Sequence, residues 1–127
     1  MSDPERRARA HFDADAWEAD LARTSPAGRG AASAARREYE QRGVPISQLR
    51  RVARRGRDGT ELPNCVKVYV PPPAGRFGMV FTLTIDGDGR PVLAYLAFGA
   101  RHHPRDSRAA TVYQHAHERL RGSPPRH

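Results

Sequence analysis

The segment LPNCVKVYVPPPAGRFGMVF, residues 62–81, contains two extended runs separated by a proline-rich turn, and it decides the fold. In the first run, valines alternate with Lys67 and Tyr69, and Lys67 is the only lysine in the chain. Successive side chains of a strand point to opposite faces of a sheet. The pattern therefore predicts a strand whose valines face the core and whose lysine and tyrosine lie on the other face.

The residues that follow predict the rest of an antiparallel meander. In RFGMVFTLTI the odd-numbered positions are all apolar, which leaves Arg76 and Gly78 on the opposite face. DGDG is a strong signal for a hairpin turn, and it leads into VLAYLAF, which is apolar almost throughout, as central strands are. If the even-numbered positions of this last strand face the core, the alternation sends Tyr95, Arg101 and His103 to the other face.

Helical patterns precede and follow the meander. The predicted helices are a first one from Asp13 or Asp15 to about Arg23, a second over residues 31–43, a short third one beginning at Ser47, and a last one capped by Ser107. We expect one α+β domain with N-terminal helices, a three- to four-stranded antiparallel meander and a C-terminal helix. Its predicted divisions are a flexible arm at 1–12, a domain at 13–121 with helices in 13–57, sheet in 62–101 and final helix at 107–121, and a flexible tail at 122–127.

The composition indicates a small basic domain. The chain has 127 residues, 38% of them hydrophobic, and a formal net charge of +8. Coding bias explains part of the preference for arginine over lysine, but the net excess over acids favours a polyanionic partner, because guanidinium binds two phosphate oxygens at once. One cysteine cannot form an internal disulfide, and no apolar run has the length of a signal peptide or membrane span. We therefore expect a cytoplasmic protein without a membrane partner.

Polar side chains are predicted to converge on the face of the meander away from the core. These are Lys67, Tyr69, Arg76, Arg101 and His103. Several cations and a phenol on one concave surface can bind a phosphodiester and stabilise the charge that its transition state adds. The alternative is an ordinary solvated sheet face that carries polar residues by coincidence.

Four motifs in order resemble the RelE-type toxins, which are ribosome-dependent mRNA endoribonucleases of toxin–antitoxin pairs. In that family a Pro-x-Cys-x-Lys strand precedes a Gly-Tyr-Arg strand, a Val-Gly-x-Arg strand end, and a Val-Tyr that opens the C-terminal helix. This chain has LPNCVKV, GRFGMVF, LAFGARHHP and TVYQHAHERL at similar spacing over residues 62–121, and two helices before the sheet also fit.

The resemblance implies a role for each matching residue. Lys67 matches a strand lysine that contacts the phosphate backbone, and Arg101 matches the arginine at the end of the last strand. Tyr113 matches the helix tyrosine that orients the nucleotide. Two positions depart from the pattern: Tyr69 stands where a second lysine, a candidate general base, would be, and Gly78 stands where the family has its catalytic arginine.

Neighbouring residues are candidates for the altered roles. Arg76 is predicted to face the same side as the missing arginine and to reach back to its position. His102 and His103 are predicted to move protons at a ribose 2′-hydroxyl, because imidazole titrates near neutrality, although the same pair also fits an inert turn. Further RNA contacts are predicted at Tyr69, Arg54, Arg55 and Arg105.

The leading hypothesis is therefore an mRNA endoribonuclease, the toxin of a type II toxin–antitoxin pair, that acts on mRNA either on the ribosome or free of it. It would work by 2′-hydroxyl attack, with no metal or other cofactor. Its predicted partners are mRNA, in the ribosomal A site, and an acidic antitoxin protein. The departures at Tyr69 and Gly78 leave open a non-catalytic RNA- or DNA-binding module on the same basic fold. A structural protein that binds only a partner protein is the third possibility, and it predicts no salt-dependent RNA affinity.

Overall fold

The computed structural model describes residues 6–56, 59–70, 77–101 and 111–122. Within these ranges the chain is an α+β protein with three α-helices and a six-stranded mixed sheet. In chain order the elements are β1 Arg7–His11, α1 Ala14–Ala22, α2 Pro26–Arg42, β2 Val44–Pro45, a 3-10 turn Ile46–Gln48, β3 Arg50–Arg51, β4 Cys65–Tyr69, β5 Phe77–Ile85, β6 Pro91–Ala100 and α3 Val112–Gly122.

The sheet has the strand order β2-β1-β6-β5-β4-β3. Strands β4, β5 and β6 form an antiparallel meander, as the alternating pattern predicts. The turn between β5 and β6 is closed by Asp86, whose side chain accepts backbone hydrogen bonds from Asp88 and Arg90, each 2.9 Å long. Strand β1 pairs in parallel with β6, so the sheet is larger than the predicted three or four strands and is not purely antiparallel.

The prediction of a flexible arm over residues 1–12 is wrong for the part of the arm that the structure describes. Strand β1 pairs with both β2 and β6, and Ala8 and Ala10 are buried. In RARAH, small apolar residues alternate with charged ones, so one face packs against the core while the other stays in water. The many charged residues in this segment made its alternation of buried and exposed positions hard to detect in the sequence. Residues 1–5 lie outside the described residues.

The two N-terminal helices begin at side chains that cap them. Asp13 caps α1 by accepting a 3.1 Å hydrogen bond from the backbone N–H of Asp15, as predicted. Helix α2 starts at Pro26 rather than at residue 31, because Ser25 caps it and proline suits the first helical position. It ends at Gly43, which has a φ of +79° that favours glycine.

The third predicted helix, beginning at Ser47 within the 13–57 region, is a misassignment. A 3-10 turn covers Ile46–Gln48, and β3 follows it and pairs antiparallel with β4. Leu49 and Val52 would share one face of such a helix, but they pack into two separate hydrophobic clusters. Residues three apart in an extended chain point to opposite faces, so their spacing fits this edge segment as well as a helix.

The sheet has a hydrophobic core on each face, not on one face only. The first core, under α1 and α2, includes Trp17, Tyr39, Val68, Met79, Phe81 and Phe98. The second core, under α3, includes Leu62, Cys65, Val80, Leu96, Val112 and Ala116. The predicted polar face is therefore partly covered by α3, and only the end of this face is left for Lys67 and Tyr69.

An irregularity in β6 changes which of its side chains face each core. Consecutive residues of β5 pair with Ala97 and Tyr95, so Leu96 is an extra residue, which defines a β-bulge. Tyr95 is consequently buried in the first core with Phe98, and the prediction that it faces away from the core is wrong. Beyond the bulge the alternation resumes, and Arg101 lies on the face opposite Phe98.

Candidate functional site

Four of the side chains predicted for the site lie together at one end of the second sheet face. Lys67 and Tyr69 come from β4, Arg101 follows the end of β6, and Tyr113 lies in the first turn of α3. A fifth side chain, Arg50 of β3, contacts the same group. We call these five residues the tyrosine–cation cluster. It is assembled from four elements that are distant in sequence.

Lys67 lies between the two tyrosines of the cluster. Its Nζ donates a 3.1 Å hydrogen bond to the hydroxyl oxygen of Tyr113. The same ammonium is 5.0 Å from the ring centroid of Tyr113 and 5.4 Å from that of Tyr69, within the range of cation–π attraction. An ammonium group has several N–H donors, so the bond to Tyr113 leaves donors that can bind a phosphoryl oxygen.

Gly78 makes room for the side chain of Arg101. A Cβ atom on Gly78 would be 3.2 Å from Cγ of Arg101 and 3.4 Å from the carbonyl oxygen of Val68. The guanidinium carbon of Arg101 lies 4.0 Å from the ring centroid of Tyr69. The glycine that departs from the family pattern is therefore also the residue that lets Arg101 cross β5 and reach Tyr69.

The cations around Tyr69 stabilise its ionised form. Partial burial alone would raise the pKa of the Tyr69 phenol, but the charges and hydrogen bonds of Lys67 and Arg101 together lower it below the ordinary value of 10.0. The residue is 36% exposed, so part of it remains accessible to solvent. At a given pH, a larger fraction of Tyr69 is therefore ionised than of a tyrosine in water.

The start of α3 holds Tyr113 in place. The backbone N–H of Gln114 donates to the hydroxyl of Thr111 at 3.3 Å, and the backbone N–H of Thr111 donates to the side-chain oxygen of Gln114 at 2.9 Å. This reciprocal pair is a capping box. Thr111 is not helical, so the helix begins later than the predicted residue 107, and the proposed cap Ser107 lies outside the described residues.

A second contact anchors α3 one turn further along. Nδ1 of His117 accepts a 2.8 Å hydrogen bond from the backbone N–H of Glu61, in the segment that leads into β4. Cys65, at the start of β4, is buried, and burial raises the pKa of its thiol to about 11. The thiol is therefore not a nucleophile near neutral pH.

Two of the remaining predicted site residues are not among the contacts of the tyrosine–cation cluster, and the other four lie outside the described residues. Arg54 and Arg55 are exposed in the segment between β3 and β4, where Arg55 forms an isolated bridge with Glu61. Arg76, His102, His103 and Arg105 lie outside the described residues. Their predicted roles as a phosphate contact, as proton-transfer groups and as an RNA contact remain predictions.

Arg50 was missed because its segment was interpreted as a helix. Its guanidinium carbon lies 4.7 Å from the ring centroid of Tyr69, and its backbone pairs with Lys67 in the β3–β4 ladder. Among the described residues, no acidic side chain forms an ion pair with Arg50. No sequence signal distinguished the strand from a helix, because only the structure shows that Leu49, directly before Arg50, is extended.

A buried carboxylate that the sequence interpretation also missed joins α1, β6 and α3. Asp20 is 1% exposed and receives a bidentate ion pair from Arg119, with both N–O distances 2.7 Å. It also accepts hydrogen bonds from the hydroxyl of Tyr95 and from Arg23. Burial and the charge of Asp20 raise the pKa of Tyr95 far above its usual value, and the hydrogen bond to Asp20 raises the pKa of Arg119.

This carboxylate network satisfies backbone groups of β6. Strand β1 pairs with β6 only as far as Ala94, so the rest of β6 needs other partners on that side. Asp20 accepts the backbone N–H of Phe98 at 3.0 Å, and Arg119 donates to the carbonyl oxygen of Leu96 at 2.7 Å. Asp20 lies close to the apolar positions Trp17 and Leu21 of α1, and this placement could have revealed that it is buried.

Comparisons with protein-family models, curated proteins and solved structures find no match for this chain. Among the described residues, no helix is both long and apolar enough to cross a membrane. Functional assignment therefore depends on the side chains of the tyrosine–cation cluster and on their geometry.

Proposed function

We propose that this chain is a RelE-type endoribonuclease that cleaves mRNA as the toxin of a type II toxin–antitoxin pair. The observation that carries the proposal is the convergence of Lys67, Arg101 and Tyr113 with Tyr69 in the tyrosine–cation cluster. The resemblance assigns three of these residues to one nuclease site from separate motifs. Their surroundings, with helices before an antiparallel meander and one helix after it, support the same RelE-like arrangement.

In this proposal Lys67 and Arg101 bind the non-bridging oxygens of the scissile phosphate. Both are cations beside a partly exposed ring, so an oxyanion can approach them from solvent. They are held in place before the substrate arrives, Lys67 by Tyr113 and Arg101 by its packing over Gly78. Fixed cations aimed at a developing charge lower the barrier because they need little reorganisation during the reaction.

The reaction moves one proton at each end of the displacement. The ribose 2′-oxygen attacks phosphorus and loses its proton to a base, the bond from phosphorus to the 5′-oxygen breaks, and an acid protonates that leaving oxygen. The products are a cyclic phosphate end and a 5′-hydroxyl end. No metal is needed for this balance, because protein cations neutralise the phosphoryl oxygens.

Tyr69 is the described group best suited to accept the first proton. It stands at the position where the family has a lysine that is a candidate base, and its pKa is lowered by Lys67 and Arg101 despite the opposing effect of burial. His102 and His103 are proposed to protonate the leaving oxygen. Arg76 is proposed as the additional phosphate contact that the glycine at position 78 does not supply.

The proposed partners follow from the charge of the surface. The protein would bind mRNA in the ribosomal A site, in the cytoplasm, and its net charge of +8 would attract the RNA. An acidic antitoxin would bind the same surface. Displacing α3 would leave the buried carboxylate of Asp20 without Arg119, which is costly, so the proposed antitoxin covers the cluster and leaves the helix in place.

Cleavage in a translating extract tests the nuclease assignment. We expect the purified chain to cut a labelled mRNA within its translated region and to lose this activity when initiation is blocked. Co-expression with the genes that flank it, followed by affinity capture, is expected to recover an acidic protein that prevents cleavage. A folded chain that is harmless alone and recovers no acidic protein would contradict the toxin assignment.

A non-catalytic nucleic-acid-binding module is the second candidate. Gly78, in place of the family's catalytic arginine, favours it, because the cluster keeps cations for binding while one expected catalytic group is absent from that position. The cleavage assay in a translating extract distinguishes the two functions. Salt-dependent RNA binding with no cut product would support the module and exclude the nuclease.

A further inference from the structure

The neighbours of Tyr69 across the sheet are glycines. Tyr69 pairs with Gly78 of β5, and Gly78 pairs in turn with Gly99 of β6. The two glycines supply no side chain of their own beside the ring, and the side chain of Arg101 lies over Gly78 and reaches the ring of Tyr69. The row ends against α3, since a Cβ on Gly99 would lie 3.7 Å from Val112.

This row lies between two aromatic rings, with the ammonium group of Lys67 between them and the side chain of Arg101 over Gly78. Tyr69 is at one end and Tyr113, the residue after Val112, is at the other. Nζ of Lys67 is within 5.4 Å of one ring centroid and 5.0 Å of the other. Two rings that flank a cation match the chemistry of a dinucleotide step, in which two bases flank one phosphate.

We propose that this site binds two consecutive unpaired nucleotides, with one base stacked on Tyr69, the other on Tyr113, and the intervening phosphate at Lys67 and Arg101. The inference deepens the proposed nuclease function and rests on it for the identity of the ligand as RNA. The resemblance implies a nucleotide contact only for Tyr113. The second stacking position, at Tyr69, is particular to this chain, because the family has a lysine where Tyr69 stands.

Arg50 contacts the ring of Tyr69 in the free protein, in addition to Arg101. Its guanidinium carbon is 4.7 Å from the ring centroid, and the side chain is exposed on the edge strand β3. Contacts between an exposed cation and a ring are weaker than the stacking of a base on a ring, so a base can take this place. Once displaced from the ring, the guanidinium of Arg50 can bind a phosphate on the 5′ or 3′ side of the bound dinucleotide.

Binding of an uncleavable RNA tests the second stacking position separately from catalysis. The probe is a fluorescent, fully 2′-O-methylated hexaribonucleotide of unstructured sequence, with companions that carry one abasic position each. We expect Tyr69→Leu to weaken binding by about tenfold, and Tyr69→Phe, which keeps the ring, to change it by less than about twofold. The probe that lacks the base stacked on Tyr69 is expected to bind wild type about tenfold more weakly than the intact probe does. The same probe should bind Tyr69→Leu about as well as the intact probe binds this variant.

The outcomes distinguish this inference from the nuclease assignment. Equal binding by Tyr69→Leu and wild type would overturn the second stacking position alone. The same conclusion would follow if the loss of affinity from Tyr69→Leu and the loss from an abasic position simply added when the two changes are combined. Loss of stacking in Tyr69→Leu together with no cleavage of unmodified mRNA by wild type would support the inference and overturn only the nuclease. A folded wild-type chain that binds none of the probes would overturn both. Circular dichroism of each variant checks folding.

Discussion

Nζ of Lys67 donates a 3.1 Å hydrogen bond to the hydroxyl of Tyr113, and this bond joins β4 to the first turn of α3. The proposed phosphate contact and the proposed nucleotide contact are therefore one unit, although their motifs are widely separated in the chain. The position of α3 fixes the geometry of this unit. Changes that move α3, or that remove the cations beside the rings, are expected to reduce activity through the same pair.

Arg101→Ala is expected to reduce the rate of mRNA cleavage by about a hundredfold, which corresponds to about 3 kcal/mol of lost transition-state stabilisation. The protein should stay folded, because Arg101 lies at the end of β6 and is not part of either core. Arg90→Ala is the matched control, since Arg90 lies in the turn at the other end of β5 and β6. Single-turnover cleavage rates measure both, and equal rates in the two variants would remove Arg101 from the site.

Gly78→Ala is expected to displace Arg101 and to lower both activity and stability. The new methyl group would be 3.2 Å from Cγ of Arg101, which is tighter than ordinary packing, and 3.4 Å from a backbone carbonyl, at the near limit of ordinary contact. A loss of about 1 kcal/mol in unfolding free energy is expected from this overpacking. Gly30→Ala, in α2 with no atom within 4 Å of its Cβ, should instead stabilise by up to about 1 kcal/mol. Urea titration compares them, and a neutral Gly78→Ala with full activity would contradict the packing argument.

The pH dependence of cleavage should report the ionisation of Tyr69. Its pKa lies below the ordinary value because Lys67 and Arg101 stabilise the phenolate more than burial destabilises it. The phenolate fraction should rise with pH, while the proposed acid loses its proton as the pH rises, so the rate should follow a bell-shaped profile whose ascending limb requires the phenolate. Tyr69→Phe should lose this limb, and a difference titration of tyrosinate absorbance between the two proteins should place the pKa below 10.0. An unchanged profile in Tyr69→Phe would show that another group is the base.

Asp20→Asn is expected to destabilise the fold by about 3 kcal/mol, because it leaves the guanidinium of Arg119 without its charged partner in a partly buried site. Glu40→Gln is the control, since the carboxylate of Glu40 is exposed, unlike that of Asp20, and its pair with Arg36 should contribute less than about 1 kcal/mol. Denaturant unfolding monitored at Trp17 measures both changes. Similar small losses in both variants would mean that the Asp20 network does not hold α1, β6 and α3 together.

Short-range patterns predicted the meander and the directions of its side chains. The alternation in residues 65–85 places Lys67 and Tyr69 on one face and the valines on the other, and the structure has this arrangement. The directions of Tyr95 and Leu96 could not be predicted in the same way, since a bulge adds one residue that has no partner and shifts the alternation. Alternation alone does not reveal where a strand contains an extra residue.

The errors in the N-terminal half have a common physical cause. Edge and parallel strands such as β1 and β3 are short and highly charged, and their pairing partners are distant in sequence. Local propensity therefore favoured a loose arm in one case and a helix in the other. Arg50 was missed for this reason, because its approach to Tyr69 depends on the pairing of β3 with β4.

The most direct test of the proposed function maps the ends of an mRNA after incubation in a translating extract. Wild-type protein should produce fragments with 2′,3′-cyclic phosphate and 5′-hydroxyl ends, and a folded Lys67→Ala/Arg101→Ala double variant should produce none above background. The Arg90→Ala variant should cut as wild type does. Cleavage with other end groups, or cleavage that persists in the double variant, would contradict a nuclease site built on Lys67, Arg101 and Tyr113.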